Sequence, residues 1–478
     1  MSGLENWAVA APEIFLGIVA MALLLLGVVW GEKSSSAIAG LTVVGLIATI
    51  VLLFMAPAGS GLGGMFATNR FMVLMKVLIL GGSAVSIVMS RSFMEREKVW
   101  RFEYPVLIAL ATVGMMMMVS ANDLIALYLG IELQSLALYV IASFMRDSER
   151  STEAGVKYFV LGALSSGMLL YGASLIYGFA GSTNFAALAK VFADGHGSTG
   201  AVVGLVFLIA GLAFKVSAAP FHMWTPDVYE GAPTPVTMLF SVAPKVAAVS
   251  LFVTTMIGPF RPLLMQWQQV IIVVAVLSMA LGAFAAIGQN NIKRLMAYSS
   301  IGNVGYMLLG LAAGTEEGAR GILVYLIIYV FMNVGTFCVI LAMKRKGMMV
   351  ENIPDLAGLS RSQPLMALAL AAFMFSQAGI PPLAGFFGKL YIFIPVINAG
   401  LYVPAVIGVV ASVVAAYYYL RIVKVAYFDQ PAEPFDQPIG RDNAIVMGLA
   451  AAFVAAFVIF TGPVLQAANA AAAVLFHG

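Results

Sequence analysis

The chain has 478 residues, 62% hydrophobic and 10% charged, whereas soluble domains average about 45–50% apolar and about 25% charged, so an ordinary soluble enzyme is excluded. A net charge of +3, with no basic run longer than Lys344-Arg345-Lys346, leaves no nucleic-acid footprint. One cysteine (Cys338) and three histidines (His196, His222, His477) fall short of the ligand sets of iron–sulfur clusters, zinc or bis-histidine haem, so no redox centre is expected in this chain.

Residues 1–11 lack the basic start and small-residue cleavage site of a secretory signal, so the first apolar segment is expected to remain as a membrane span. Apolar windows of about 20 residues, divided by polar or Pro/Gly-rich breaks, predict spans at 12–30, 37–56, 71–90, 103–120, 122–145, 154–178, 200–223, 234–257, 268–289, 292–313, 319–343, 363–395, 401–427 and 443–468. The expected fold is an all-α polytopic membrane protein of about fourteen transmembrane helices. The loops are short and leave no room for a nucleotide-binding or peripheral domain. Gly385-Phe-Phe-Gly-Lys389 lacks the spacing of a phosphate loop.

Lysines and arginines in the loops check this count, because they collect on the cytoplasmic side. Loops after odd-numbered spans carry sixteen, from Lys33 to Arg441, and the remaining loops carry four, Arg70, Lys190, Arg261 and Arg320. Both termini are therefore expected on the non-cytoplasmic side. Of the 25 basic residues, five are left inside spans: Lys76, Lys157, Lys215, Lys245 and Lys389.

Spans 7 and 12 are interrupted by proline and small residues, in Phe214-Lys-Val-Ser-Ala-Ala-Pro220 and Phe375-Ser-Gln-Ala-Gly-Ile-Pro381. Both place Phe six residues before Pro, and they lie five spans apart. A repeat with an odd number of spans enters the membrane with opposite polarity each time, so spans 4–8 and 9–13 read as inverted five-helix repeats, and paired broken helices point to a transport pathway. The expected division is a three-helix extension at 1–100, repeats at 101–260 and 265–428, and a C-terminal span at 440–478.

A charge at the bilayer centre costs about 2.5–3.5 kcal/mol on insertion scales. Glu132 lies near the middle of the fifth span, Lys245 near the middle of the eighth, and Lys215 and Lys389 beside the two breaks. Burial favours the neutral amine of a lysine and a nearby carboxylate favours the ammonium. A changing Glu132–Lys215 distance would therefore let Lys215 hold and release a proton, with Lys245 and Lys389 receiving it through water. The other polar residues have plainer readings. Lys76 snorkels to its span end, and Glu13 and Glu103 sit as interfacial acids. Lys157 either snorkels or supports the relay. His222 either relays protons or bonds a freed carbonyl. Asp227 and Glu230 shape a turn, and Met115–Met118 and Tyr417–Tyr419 serve packing and interface anchoring.

The stretch from Phe214-Lys-Val-Ser-Ala-Ala-Pro-Phe-His-Met-Trp-Thr-Pro-Asp-Val-Tyr-Glu-Gly-Ala-Pro-Thr-Pro-Val236, together with Glu132-Leu-Gln-Ser135 and Gly379-Ile-Pro-Pro-Leu-Ala-Gly-Phe-Phe-Gly-Lys389, resembles the antiporter-like subunits shared by proton-pumping NADH:quinone oxidoreductase (respiratory complex I, NDH-1) and the Mrp-type sodium/proton antiporters. The resemblance covers essentially the whole chain. It is closest to the subunit N branch, since subunit M has a glutamate where Lys389 stands and subunit L a long C-terminal lateral helix. It implies a translocase subunit in the inner (plasma) membrane of a bacterium, with both termini periplasmic, in which Glu132, Lys215, Lys245 and Lys389 carry protons and Lys157 and His222 are secondary. It further implies that NADH, FMN, iron–sulfur clusters and quinone are handled by partner subunits, with no cofactor or metal bound here. The expected neighbours are other antiporter-like subunits, the small quinone-proximal subunits and lipids. The tenth span has no deep acid to mirror Glu132, and Lys215 and Lys389 lie on opposite sides of their proline landmarks, so the two are not expected to superpose. A cation/proton antiporter without redox coupling, and a passive scaffold, are the competing readings.

Overall fold

The computed structural model describes residues 6–195, 197–437 and 439–477; the first residues of the segment expected to be retained, 1–5, and His196 lie outside the described residues. Among the described residues thirteen helices are long and apolar enough to cross a membrane. The two short apolar helices Pro364–Ala378 and Ala384–Asn398 share one further crossing, the twelfth, which makes fourteen. The last crossing is longer than its apolar window suggests: Arg441–Ala455 continues past a bend at Ala456 into Phe457–His477. It runs beside the eleventh span, Glu316–Ala342, with Asn443 donating to the Cys338 carbonyl at one end and His477 meeting Glu316 at 2.9 Å at the other.

Loop-to-loop bonds separate the two faces. Loops after odd-numbered spans bond one another: Arg101 to Glu32, Arg294 to Asp227 and Glu230, Lys293 to Glu351, and Arg345 to the Glu433 carbonyl. On the opposite face Asn122 and Asn184 both donate to the Gly64 carbonyl, and Gln268 donates to the Ala312 carbonyl. That face also carries a small hairpin, Gly59–Gly61 paired antiparallel with Phe66–Thr68, and the short helix Phe185–Ala193.

The eighth span, Thr234–Ile257, is buried along its whole length, and the tenth (Ile292–Ala312) and eleventh nearly so. These three form the axis of the bundle. Small residues set the tightest contacts, as expected where lipid supplies no hydrophobic drive between helices. A Cβ on Gly114 of the fourth span would stand 2.4 Å from the Gln134 backbone nitrogen of the fifth, and one on Gly282 of the ninth 2.5 Å from the Gly302 nitrogen of the tenth.

Candidate functional site: two broken helices and their lysines

The seventh span stops at Val216 because Ser217 adopts a left-handed conformation at φ 65°. Its N–H bonds the Phe214 carbonyl and that of Ala218 bonds the Ala213 carbonyl, which is a Schellman closure. The chain resumes as Trp224–Gly231. The twelfth span stops at Ala378 in the same way: Gly379, at φ 87°, bonds back to Ser376 and Ile380 to Phe375. The closing residue lies three before Pro220 in one span and three before Pro382 in the other. Matching Phe214 with Phe375 through Pro381 therefore sets the two breaks one residue out of register, because the motif is defined by the left-handed position and not by the aromatic.

A helix end inside a membrane leaves four carbonyls without intrahelical partners. Lys245, on the eighth span, supplies part of the missing donation at the first break: its Nζ bonds the Val216 carbonyl at 2.9 Å and the Ser217 hydroxyl at 2.6 Å. Trp224 adds its indole N–H to the Phe214 carbonyl at 3.0 Å. At the second break Lys389 donates to the carbonyls of Gln377 and Ala378 at 3.1 and 3.0 Å, and to the Ser412 hydroxyl at 2.7 Å. Each ammonium thus sits at the negative pole of a half-helix, where a cation is favoured. Lys389 corresponds by this geometry to Lys245, and the expectation that it does not superpose on Lys215 is consistent with it.

Lys215 points elsewhere. Its Nζ donates to the Ser135 hydroxyl at 2.8 Å on the fifth span. Glu132 lies one turn before Ser135, on the same helix face, yet it forms no ion pair with Lys215; its Oε1 is buried and unbonded. The Ser135 hydroxyl itself donates to the Ile131 carbonyl at 2.6 Å, so no hydrogen bond joins Lys215 to the carboxylate expected beside it. Lys215, Lys245 and Lys389 are buried, at 7%, 2% and 7% exposure, and among the described residues none pairs with a carboxylate.

Neutral polar side chains connect the second half of the bundle, and apolar-window reasoning passed over them. Ser299 shares a hydrogen bond of 2.6 Å with Tyr419 and donates to Gln377 at 3.2 Å. Asn303 approaches Ser299 at 3.4 Å and accepts from Tyr325 at 2.7 Å, and Lys389 lies 5.2 Å from the Tyr306 ring centre. Tyr419 is a buried hydrogen-bonding group, not an interface anchor. The one sequence signal was Ser299 and Asn303, one turn apart on one face of the tenth span.

Other readings need correction. Lys76 does not snorkel, and Glu13, in the first turn of the first span, is buried within the protein. They form an ion pair at 2.5 Å with 0% and 5% exposure, under Phe66 of the hairpin. Asp227 and Glu230 do more than shape a turn. Asp227 bonds Lys157 and Arg294, each at 2.7 Å, and Arg294 also reaches Glu230 at 3.0 Å, around a cavity of about 210 Å³ on the basic-rich face. Burial alone would raise the Asp227 carboxyl; its bonds to Lys157 and Arg294 outweigh this and hold it below the usual carboxylate range. Lys157, also bonded to Glu153, belongs to this cluster and not to the buried lysines. His222 stands in the seventh-span break, half-buried, with Nδ1 buried and unbonded. The Met115–Met118 run is packing: Met115, Met116 and Met118 are fully buried among apolar neighbours.

Residues 121–415 match the family described as NADH:quinone oxidoreductase/Mrp antiporter, TM. The chain is 56% identical over 472 residues to NADH-quinone oxidoreductase subunit N of Paramagnetospirillum magneticum, covering 97% of each. It is 57% identical over 471 residues to the protein of the same name from Rhodospirillum rubrum, covering 98% of this chain and 97% of that one. A chain of respiratory complex I from Thermus thermophilus with bound aureothin superposes with a TM-score of 0.82 at 32% identity, covering 96% of this chain and 99% of that one. A chain of the Mrp complex from Dietzia sp. shares the fold, at a TM-score of 0.84 and 22% identity, over 98% and 97% of the two.

Proposed function

Because the chain belongs to the NADH:quinone oxidoreductase/Mrp antiporter family, we propose that Glu132, Lys215, Lys245 and Lys389 form the proton relay of an antiporter-like subunit. The protein is a multi-pass membrane subunit of a bacterial proton-translocating NADH:quinone oxidoreductase and works among the other membrane subunits of that complex. On this reading NADH, FMN, iron–sulfur clusters and quinone are bound by partner subunits. The membrane is the inner membrane, with both termini on the periplasmic face. The division into a three-helix extension and two inverted repeats is part of the same proposal. The similar glycine contacts between spans 4 and 5 and between spans 9 and 10, and the similar closures of spans 7 and 12, support it.

The observation that carries the proposal is the placement of Lys245 and Lys389 on the carbonyl ends of the two half-helices. A protonated lysine there offsets the helix dipole and fills open acceptors. When it gives up its proton, Nζ keeps donors for the carbonyls but loses the charge that balances them. Protonation and half-helix position are therefore energetically coupled, which gives a relay its switch. Irregular backbone at membrane depth is tolerated where it lines a wet cavity. Lys215, held by Ser135 one turn from Glu132, is the member whose charge responds to a carboxylate. Ser299, Tyr419, Gln377 and Ser412 offer hydroxyl and amide groups leading to Lys389.

The test is proton uptake per NADH oxidised by the intact complex in sealed vesicles. Lys215→Met, Lys245→Met and Lys389→Met are each expected to lower that ratio in assembled complexes. Wild-type ratios in all three would remove the relay.

A further inference from the structure

Between the first half of the broken twelfth span and the start of the fourteenth lies a cavity of about 820 Å³, the largest of those described, open on the outer surface of the bundle. Its walls are apolar. Leu365 and Leu368 of the half-helix stand 79% and 61% exposed, so none of the described residues covers that face. Its floor is made by Ala444, Gly448, Ala451 and Ala455, and a Cβ on Gly448 would meet nothing within 4 Å.

We propose that this trench holds an acyl chain of one phospholipid, in the leaflet on the lysine- and arginine-rich face. Three observations select that occupant. From Ala444 to Ala455 a helix rises roughly 16 Å at about 1.5 Å per residue, which is half of the roughly 30 Å hydrocarbon layer; one leaflet's tail fits this length, whereas a partner's transmembrane helix needs the full thickness. Polar lining occurs at one end only, at Ser362, Gln363 and Gln437. Gln363 is 7% exposed, and its Oε1 is buried and unbonded, an acceptor suited to the hydroxyl or ammonium of a headgroup. Flanking that end are Arg361, next to Ser362, and Arg441, one turn before Ala444; neither pairs with a carboxylate among the described residues. Two free guanidinium groups at the membrane boundary suit a lipid phosphate. The half-helix that walls the trench carries at its other end the carbonyls held by Lys389, so the lipid acts as its outer support.

The experiment uses the intact complex in nanodiscs containing phosphatidylglycerol with a photoactivatable acyl chain, followed by peptide mass spectrometry. Labelling is expected within residues 444–455. Gly448→Phe, which fills open space, is expected to reduce it at least fivefold, and Leu449→Phe, on the neighbouring exposed position, to leave it unchanged. If Gly448→Phe fails to assemble, the double variant Arg361→Gln/Arg441→Gln is read with the same probe and the same expected loss. Equal labelling in wild type and the trench or arginine variants overturns the proposal. So does absence of label in wild type, including the case where a helix of a neighbouring subunit occupies the trench in a density map. Lipid labelling does not depend on proton transfer, so failure here leaves the relay standing, and the reverse also holds.

Discussion

The Nζ of Lys389 lies 3.0 Å from the carbonyl oxygen of Ala378, the last residue of a half-helix that ends inside the membrane. The side chain therefore has two separable duties, filling open acceptors and carrying a removable proton.

Arginine separates them. It supplies donors and permanent charge but does not release a proton in proteins. Lys389→Arg is expected to assemble near the wild-type level while pumping fewer protons per NADH. Lys389→Met leaves two buried carbonyls open, at about 1–3 kcal/mol each, and is expected to reduce both assembly, read by native gel, and pumping.

Ser135 stands between Lys215 and the helix turn of Glu132. A hydrogen bond to a charged group contributes about 1.5–3 kcal/mol, so Ser135→Ala is expected to slow NADH-driven proton uptake several-fold. Combined with Glu132→Gln it is expected to depart from additivity, because the two act on one ammonium. Simple additivity of the uptake rates would show that Ser135 does not transmit the carboxylate's influence.

The buried Glu13–Lys76 pair makes a stability prediction. Removing one partner of such a pair costs about 3–5 kcal/mol, whereas replacing both by apolar residues is often near neutral. Glu13→Leu and Lys76→Met are each expected to lower the melting temperature of the complex, and the double variant to recover most of the loss. A snorkelling Lys76 would give a small effect in the single variant and no recovery.

Asp227 gives a pH dependence. Its carboxyl is held below the usual range by Lys157 and Arg294, so its stabilisation is present above the unfolded value of about 3.9 and is lost as pH falls through the folded value. Partial exposure limits the effect to about 1 kcal/mol. Asp227→Asn is expected to melt below wild type at pH 7, with the gap narrowing as pH falls below about 4.

Much of this was legible from the chain because lipid imposes simple rules. Apolar length and the split of loop lysines and arginines sufficed to place fourteen crossings, and the five in-span lysines stood out against that background. What stayed hidden depends on partners far apart in sequence. Nothing local to Lys76 says that Glu13 faces it from 63 residues away, so the cheaper interfacial reading prevailed. Serine and tyrosine are tolerated in spans for many reasons, which concealed Ser135, Ser299 and Tyr419. The one-residue slip between the two breaks arose because Phe and Pro are conspicuous letters, whereas Ser217 and Gly379 share only a backbone conformation.

The two breaks also differ in who holds them. The seventh-span closure is gripped by a lysine from the fully enclosed eighth span, so displacement there must pull on the molecule's axis. The twelfth-span closure is gripped by its own second half, whose lysine is steadied by Ser412 of the thirteenth span. The first is built to communicate inward, and the second to answer whatever leans on it from outside.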